Sequence, residues 1–348
     1  MNGARPRGGS GAAAPSEREY CAVMRAAIVY NPVKLSREQL AAHVETVQPL
    51  EWSEPLWLET DADDAGAGAV RQALDEGVDL LIVAGGDGTV RIAADLVTGA
   101  GVPLAIIPAG TGNLLARNLG IDIISRRAAV RTAFEGEERE IDLGELEIES
   151  PEGKRSRHAF AVMVGFGLDA EIMDATDDDL KKRVGWLAYF DAAGKVLSRI
   201  DRVRVQARLD AGRTLRQTVN TLLIGNCGTI QNGFVLLPDA AIDDARLDVA
   251  LIRASGARGW MQVAGYVLRN NTLVAKLARR SGQPGNRRTG DALGYGQAKE
   301  VVVRIEEPRL VQVDGDVVGE AVALRATVRE DALHVRVPKK RTLLGPTV

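Results

Sequence analysis

The chain has 348 residues, of which 45% are hydrophobic and 26% charged, and its formal net charge is −3 at pH 7. This composition is ordinary for a soluble globular protein, and the length is sufficient for two domains. The slight acidic excess argues against a nucleic-acid-binding protein, because such proteins usually carry a basic excess.

Segments for secretion or membrane insertion are not indicated. Residues 1–24 are rich in Gly, Ala, Arg, Pro and Ser and contain no apolar core of signal-peptide length, so we predict a disordered tail. No run of about 18 apolar residues occurs, so any contact with lipid is expected at a membrane surface. The cysteines Cys21 and Cys227 form no CxxC pair and the histidines are isolated, which favours a reducing, cytoplasmic setting without a zinc site.

From residue 26 to about residue 136, strand-like apolar runs alternate with helical patterns. Strands are predicted at residues 26–30, 56–58, 80–83 and 103–107. Helices are predicted after a capping box at Ser36, around residues 69–74, from about Val90, and over residues 114–119. This alternation predicts an α/β domain over residues 25–140, with a Rossmann-like parallel sheet covered by helices on both faces.

Beyond about residue 141 the pattern changes to strands without helices of matching length between them. Strands are predicted at 158–164, 203–209, 218–224, 247–252, 301–305, 310–313, 321–327 and 334–337. Helical patches near 180–197 and 260–278, and a Gly-, Arg- and Pro-rich loop at 279–296, interrupt them. We predict a mainly antiparallel β-sandwich domain over residues 141–338, then a tail, 339–348, that returns to the first domain.

Three predicted turns follow strands of the first domain, and all lie at the carboxyl end of the parallel sheet, where such sheets bind ligands. Glycines let the backbone approach a polyphosphate, N–H groups at the following helix starts face the negative charge, and Thr89 and Thr111 add hydroxyl donors. The turns therefore predict a nucleotide-phosphate site. They comprise Asn31 and Pro32, then Gly85, Gly86, Asp87, Gly88 and Thr89, then residues 108–113 with Gly110, Thr111 and Asn113.

The second of these turns, GGDGTV, is neither of the two common phosphate-binding fingerprints. It lacks the Lys of the Walker A pattern, and its spacing is not GxGxxG. The carboxylate of Asp87 would repel phosphates unless it holds Mg²⁺, accepts hydrogen bonds from the nearby turn, or takes a proton from a substrate. An Asp that only caps its own turn is the structural alternative.

The sequence VAGGDGTV, followed by PAGTGNLLARNLGI, resembles the catalytic domain of the diacylglycerol kinase and sphingosine kinase group of lipid kinases. The resemblance continues through residues 141–144, 165–170, 240–249 and 313–316, and so covers about residues 25–340. It implies an ATP- and Mg²⁺-dependent enzyme, peripheral to the membrane, that phosphorylates a lipid hydroxyl, with diacylglycerol as the leading acceptor. Sphingosine-type kinases, NAD kinases with a soluble acceptor, and a nucleotide-binding sensor without turnover are alternatives, and a homodimer stays open.

The resemblance also implies roles for individual residues. Asn31 to Leu35, Thr60, the segment 85–91 and the turn with Gly110, Thr111 and Asn113 would bind the nucleotide. In Val313-Asp314-Gly315-Asp316, Asp316 would be the base that takes the proton of the lipid hydroxyl, with Asp314 as competitor; a plain hairpin turn is the alternative. A Mg²⁺ ion would be bound by the side chain of Asp244 and the carbonyls of Ala241 and Arg246.

Four features of the sequence depart from the family pattern. Arg91 stands where many relatives have Asn, the first loop reads NPVKL where relatives often have a Ser-Gly pair, Ala245 replaces Gly, and Asp316 replaces Glu. Lys34 offers a charge to a phosphate, or is simply a solvated lysine. The helical patch near 180–200 carries Lys181, Lys182 and Arg183 beside aromatic residues, which suits an anionic membrane surface and equally an ordinary packed helix.

Overall fold

The computed structural model describes residues 23–61, 63–167, 202–230, 235–271 and 291–339. The helical patch near 180–197 lies outside these ranges. So do the predicted N-terminal tail, except residues 23–24, and the predicted C-terminal tail, except residue 339. The first half comprises β1 Ala26–Tyr30, α1 Arg37–Val47, β2 Leu56–Glu59, α2 Ala67–Asp75, β3 Leu80–Gly85, α3 Asp87–Val97, β4 Leu104–Pro108, α4 Leu114–Asn118 and α5 Arg126–Glu135.

The predicted parallel sheet is confirmed. Strands β2, β1, β3 and β4 lie side by side in that order, all parallel, and every residue of β1, β3 and β4 is buried because helices cover both faces. The capping box at the start of α1 is also present, since Ser36 Oγ accepts a hydrogen bond from Gln39 N at 3.3 Å. Helix α5, for which no separate pattern was identified, packs against α1 and β4.

The second half is mainly antiparallel, as predicted. It comprises β5 Glu137–Glu149, β6 Arg155–Phe160, β7 Met163–Phe166, β8 Val203–Leu209, β9 Leu215–Val219, β10 Thr221–Gly225, β11 Leu247–Ile252, α6 Gly256–Asn271, β12 Leu293–Ala298, β13 Glu300–Val313 and β14 Asp316–Val337. The loop prediction is wrong at its end, because residues 293–296 belong to β12, which pairs with β11 and buries Leu293 and Ala298.

Strand β14 connects the two halves. It pairs antiparallel with β13 and with β5 along most of its 22 residues, and Val335 then pairs in parallel with Leu104 of β4. The chain thus returns to the first sheet within β14, before residue 339, and the predicted boundary at 140/141 falls inside the continuous strand β5. In the described ranges, no helix has the length and apolar character needed to cross a bilayer.

Candidate active site

The second and third turns pack against each other through their glycines. Gly86 precedes α3, Gly110 follows β4, and a Cβ built on Gly110 would lie only 2.7 Å from Gly86 Cα. Within the second turn, a Cβ on Gly85 would lie 2.9 Å from Thr89 Cβ. Side chains on Gly86 or Gly110 would push the two turns apart. The glycines therefore serve a close approach of two backbone segments, as well as leaving the backbone open to a ligand.

Helix α3 begins at Asp87, three residues earlier than predicted, so Gly88 and Thr89 lie in its first turn. The first N–H groups of a helix have no partner within the helix, and they carry the positive end of its dipole. Most of the predicted turn is therefore the start of a helix. Its free N–H groups are suited to an anion, as expected for the turn.

Asp87 joins the two turns. Its carboxylate accepts hydrogen bonds from Leu114 N at 2.6 Å and from Asn113 N at 2.8 Å, at the start of α4. Burial raises the pKa of Asp87, although these hydrogen bonds act in the opposite direction. Of the roles considered for this acid, acceptance of hydrogen bonds from a neighbouring turn is the one that the geometry displays.

Asn113 closes the third turn by contacts with its own loop. It adopts a left-handed conformation (φ 48°), which Asn tolerates better than most residues. Its Oδ1 accepts from Gly110 N at 2.9 Å and its Nδ2 donates to Gly110 O at 2.7 Å. The amide is thus occupied in shaping the turn, whereas the neighbouring Thr111 is exposed at its rim.

The first turn places the side-chain ammonium of Lys34 over the second turn. Asn31 Oδ1 accepts from Val33 N at 3.0 Å, and Asn31 O accepts from the N–H groups of Lys34 and Leu35. This tight turn leaves Pro32 exposed and carries the ammonium of Lys34 above the glycines, since a Cβ on Gly86 would lie 3.0 Å from Lys34 Nζ. The structure thus places the Lys34 charge where a phosphate would approach α3.

Thr60 lies at the same crevice. A Cβ on Gly66 would meet Thr60 Cγ2 at 2.7 Å and Thr89 Cγ2 at 3.5 Å, so both threonines flank the start of α2. The residues predicted for the nucleotide therefore converge, although more than 80 residues of sequence separate Asn31 from Asn113.

The two acids of the β13–β14 turn have different surroundings. Asp314 is buried, with φ 50°, and accepts three backbone hydrogen bonds, from Ala161 N at 2.8 Å and from Val162 N and Met163 N at 2.9 Å each. Burial raises its pKa to about 6 despite these bonds. Asp314 therefore anchors the hairpin.

Asp316 instead reaches the second turn. Its side chain is 55% exposed, and its Oδ2 lies 3.2 Å from the position of a Cβ on Gly88 and 3.1 Å from Nη2 of Arg91. The hairpin interpretation and the base interpretation of this motif are thus compatible: Asp314 and Gly315 make the turn, and the turn presents Asp316 to the glycines of α3.

The predicted metal loop is a tight turn. Asp244 Oδ1 accepts from Arg246 N at 3.0 Å, and Ala245 has φ 56°, a left-handed conformation that Gly adopts more readily than Ala. Burial raises the pKa of Asp244, and the nearby carboxylates of Asp142 and Asp243 act in the same direction. Oxygen donors in such a negative field suit a hard cation. No His, Cys, Asp or Glu side chains of the described ranges form a group of three or more that could hold a metal.

Asp142 is the important residue of this region whose role the sequence did not indicate. It is buried, and its carboxylate accepts from Ala245 N at 2.7 Å and from Asp331 N at 2.9 Å. It therefore ties the loop of Asp244 to a register shift in β14. Its place in the motif Ile141-Asp142-Leu143-Gly144 was the only available signal.

The chain is similar to known lipid kinases along most of its length. The family described as diacylglycerol kinase catalytic domain matches residues 25–146, and the family described as YegS C-terminal NAD kinase beta sandwich-like domain matches residues 162–337. A diacylglycerol kinase of Bacillus subtilis (strain 168) is 26% identical over 91% of this chain and 97% of its own length. A probable lipid kinase YegS-like of Pseudomonas aeruginosa (PAO1) is 32% identical over 79% of this chain and 82% of its own.

Solved structures resemble this fold over nearly the whole chain. A crystal structure of a putative diacylglycerol kinase from Bacillus anthracis str. Sterne superposes with a TM-score of 0.67. The match covers 91% of this chain and 98% of the other, at 19% sequence identity. At that identity the likeness concerns the fold alone.

Proposed function

The chain belongs to the diacylglycerol kinase catalytic-domain family of lipid kinases, and we propose that it transfers the γ-phosphoryl group of ATP to a lipid hydroxyl, with diacylglycerol as the leading acceptor. The observation that carries the proposal is the position of Asp316. It places a carboxylate of the antiparallel half beside Gly88, in the first turn of the helix that would hold the phosphates.

The nucleotide would occupy the crevice between the three turns. Its phosphates would meet the N–H groups at the start of α3, the ammonium of Lys34 and the hydroxyls of Thr89 and Thr111. The close packing of Gly86 on Gly110 leaves no Cβ at those positions to obstruct a polyphosphate. Asp87 acts here by holding the second turn to the third.

Transfer would follow one balanced step. The acceptor hydroxyl oxygen forms a bond to the γ-phosphorus, and the bond from that phosphorus to the oxygen it shares with the β-phosphate breaks. ADP leaves with the electron pair of the broken bond, and Asp316 accepts the hydroxyl proton. Most of the acceleration would come from holding the attacking oxygen, the γ-phosphorus and the leaving oxygen in line, with Asp316 within hydrogen-bond reach of the hydroxyl.

Mg²⁺ bound with the nucleotide would neutralise phosphate charge. A second ion would be held by Asp244 with the carbonyls of Ala241 and Arg246, whose oxygens suit it. To reach a lipid acceptor, the enzyme would act in the cytoplasm at a membrane surface.

The proposal is tested by incubating the protein with γ-labelled ATP, Mg²⁺ and mixed micelles that contain diacylglycerol. We expect label in phosphatidic acid, and loss of that label in Asp87→Ala because the two turns separate. The exposed helix residue Asp75 supplies the matched control, Asp75→Asn, which should keep full activity. Unchanged activity in Asp87→Ala would remove the central role of the second turn.

A panel of acceptors in the same assay separates the alternatives. Label in a sphingosine or in another lipid, read by mass spectrometry, would change the acceptor and keep the enzyme class. Label in soluble NAD would assign an NAD kinase. Nucleotide binding without a labelled product from any acceptor would indicate a sensor that has lost turnover.

A further inference from the structure

An ion pair connects the phosphate-binding helix α3 with the β13–β14 hairpin. Arg91 Nη2 donates to Asp316 Oδ2 at 3.1 Å, and 225 positions separate the two residues in the sequence. Arg91 lies three residues after Gly88 on α3, so both occupy the same face of the helix. The guanidinium therefore meets the carboxylate directly beside the first turn of α3.

We propose that Arg91 is a positioning residue that holds the base Asp316 over the phosphate-binding turn. The inference rests on the proposed function and assigns a role to a residue that departs from the family pattern. Arg91 has a long side chain and Asp316 a short one, and together they span the gap between helix and hairpin.

The ion pair itself contributes little to stability. The side chain of Arg91 is only 16% exposed, whereas Asp316 is 55% exposed, so water weakens the attraction between them. The Nε of Arg91 is buried and donates to no acceptor among the described residues. A buried donor without a partner costs free energy, and such a group calls for a reason other than stability.

Among the described residues, Asp316 is the carboxylate that forms an ion pair with Arg91. Asp314 engages three backbone N–H groups instead. His158 on β6 also interacts with the charge of Arg91. Burial, and then this charge, lower the pKa of its imidazole. At neutral pH that ring is therefore uncharged and does not compete for the carboxylate.

The hydrogen bond from the guanidinium to one carboxylate oxygen limits rotation of the Asp316 side chain. Without that bond, the side chain would rotate freely because it is exposed. In the transfer step, the proton of the acceptor hydroxyl moves to this carboxylate as the new O–P bond forms. An Asp316 that swings away from Gly88 leaves the hydroxyl without an acceptor for its proton. Removing Arg91 should therefore slow transfer and leave nucleotide binding nearly intact.

The test compares Arg91→Asn, Arg91→Lys, Asp316→Glu and the combined Arg91→Asn with Asp316→Glu. We expect Arg91→Asn to lower kcat by about tenfold or more while the Kd for ATP stays within about twofold, and Arg91→Lys to recover most of the loss. The combined variant should exceed Arg91→Asn alone in kcat, because Glu spans the gap that Asn leaves. Arg131→Asn, on the exposed face of α5, is the matched control and should be unchanged.

Several outcomes would overturn the inference. They are a wild-type kcat in Arg91→Asn, a loss confined to ATP binding, and a combined variant no better than Arg91→Asn. A melting temperature that falls in Arg91→Asn as far as in Asp314→Asn would indicate a structural role instead. A wild-type protein that transfers phosphate to no lipid would reject the proposed function itself, which distinguishes that failure from the failure of this inference.

Discussion

Gly86 and Gly110 meet so closely that a Cβ on Gly110 would lie 2.7 Å from Gly86 Cα and 3.1 Å from Asn113 Oδ1. Neither glycine has a positive φ, so the contact requires the absence of a side chain and not a special backbone conformation. The two turns that would surround the phosphates thus depend on each other for their shape.

Gly110→Ala should separate these turns. Because the Cβ meets backbone atoms that cannot rotate away, we expect a loss of about 1–3 kcal/mol in the free energy of unfolding and a marked weakening of ATP binding. Urea denaturation and titration calorimetry measure the two effects. Gly265→Ala in α6 is the control, since its nearest contact is Arg269 Nη1 at 3.9 Å and a helical alanine is favourable. Equal behaviour of the two variants would contradict the steric argument.

Asp316→Asn should lose activity and keep stability, whereas Asp314→Asn should lose stability. Asp316→Asn keeps the shape of an exposed side chain but cannot accept the hydroxyl proton, so kcat should fall by about 10²–10⁴-fold with unchanged stability. Asp314→Asn turns an amide nitrogen toward backbone N–H groups, which should cost about 1–3 kcal/mol of stability. Turnover and thermal unfolding of both variants provide the check. If Asp314→Asn is stable and inactive, the assignment of the two acids is reversed.

Lys34→Ala should weaken ATP binding without slowing transfer. The ammonium lies over Gly86, so it would attract the phosphates equally in the ground state and the transition state, and its loss raises KM alone. We expect an increase in the KM for ATP of several-fold to about tenfold, and the difference should shrink at high salt as the charge is screened. Lys154→Ala, in an exposed turn, is the control. An unchanged KM would make Lys34 a solvated lysine.

Asp248 should make the stability of the second half depend on pH. It is fully buried on β11, accepts hydrogen bonds from Tyr295 Oη and Gln297 Nε2, and burial raises its pKa to about 6. Between about pH 4 and pH 6 the native state keeps a proton that the unfolded state releases. This contribution to stability is therefore complete below that window and is lost as the pH rises through it.

Asp248→Asn removes the titration, so wild type should lose stability relative to the variant between pH 4 and pH 7. The difference between the two free energies of unfolding should change by at most about 3 kcal/mol. Urea denaturation at both pH values measures it, with Asp75→Asn as the control whose difference stays constant. A difference that is independent of pH would show that Asp248 titrates alike in both states.

Many elements could be predicted from local patterns alone. Strands β1, β8 and β11 have the predicted limits, and Ser36 caps α1, because alternation, apolar runs and capping involve residues close together in the chain. Strands β13 and β14 were each predicted as two short strands. In β13, Pro308 and the polar residues beside it interrupt the apolar pattern, whereas the hydrogen-bonded ladder between β13 and β14 continues past a register shift.

The sequence by itself determined that this chain has a parallel α/β half, an antiparallel half and turns suited to phosphate. Only the tertiary structure decided what the acids do: Asp87 holds two turns together, Asp314 anchors a hairpin, and Asp316 reaches Gly88. The physical reason is distance along the chain. Those contacts join residues that are far apart in the sequence: β3 and β4 must pair before Asp87 meets the third turn, and β14 must pair with β13 before Asp316 meets Gly88.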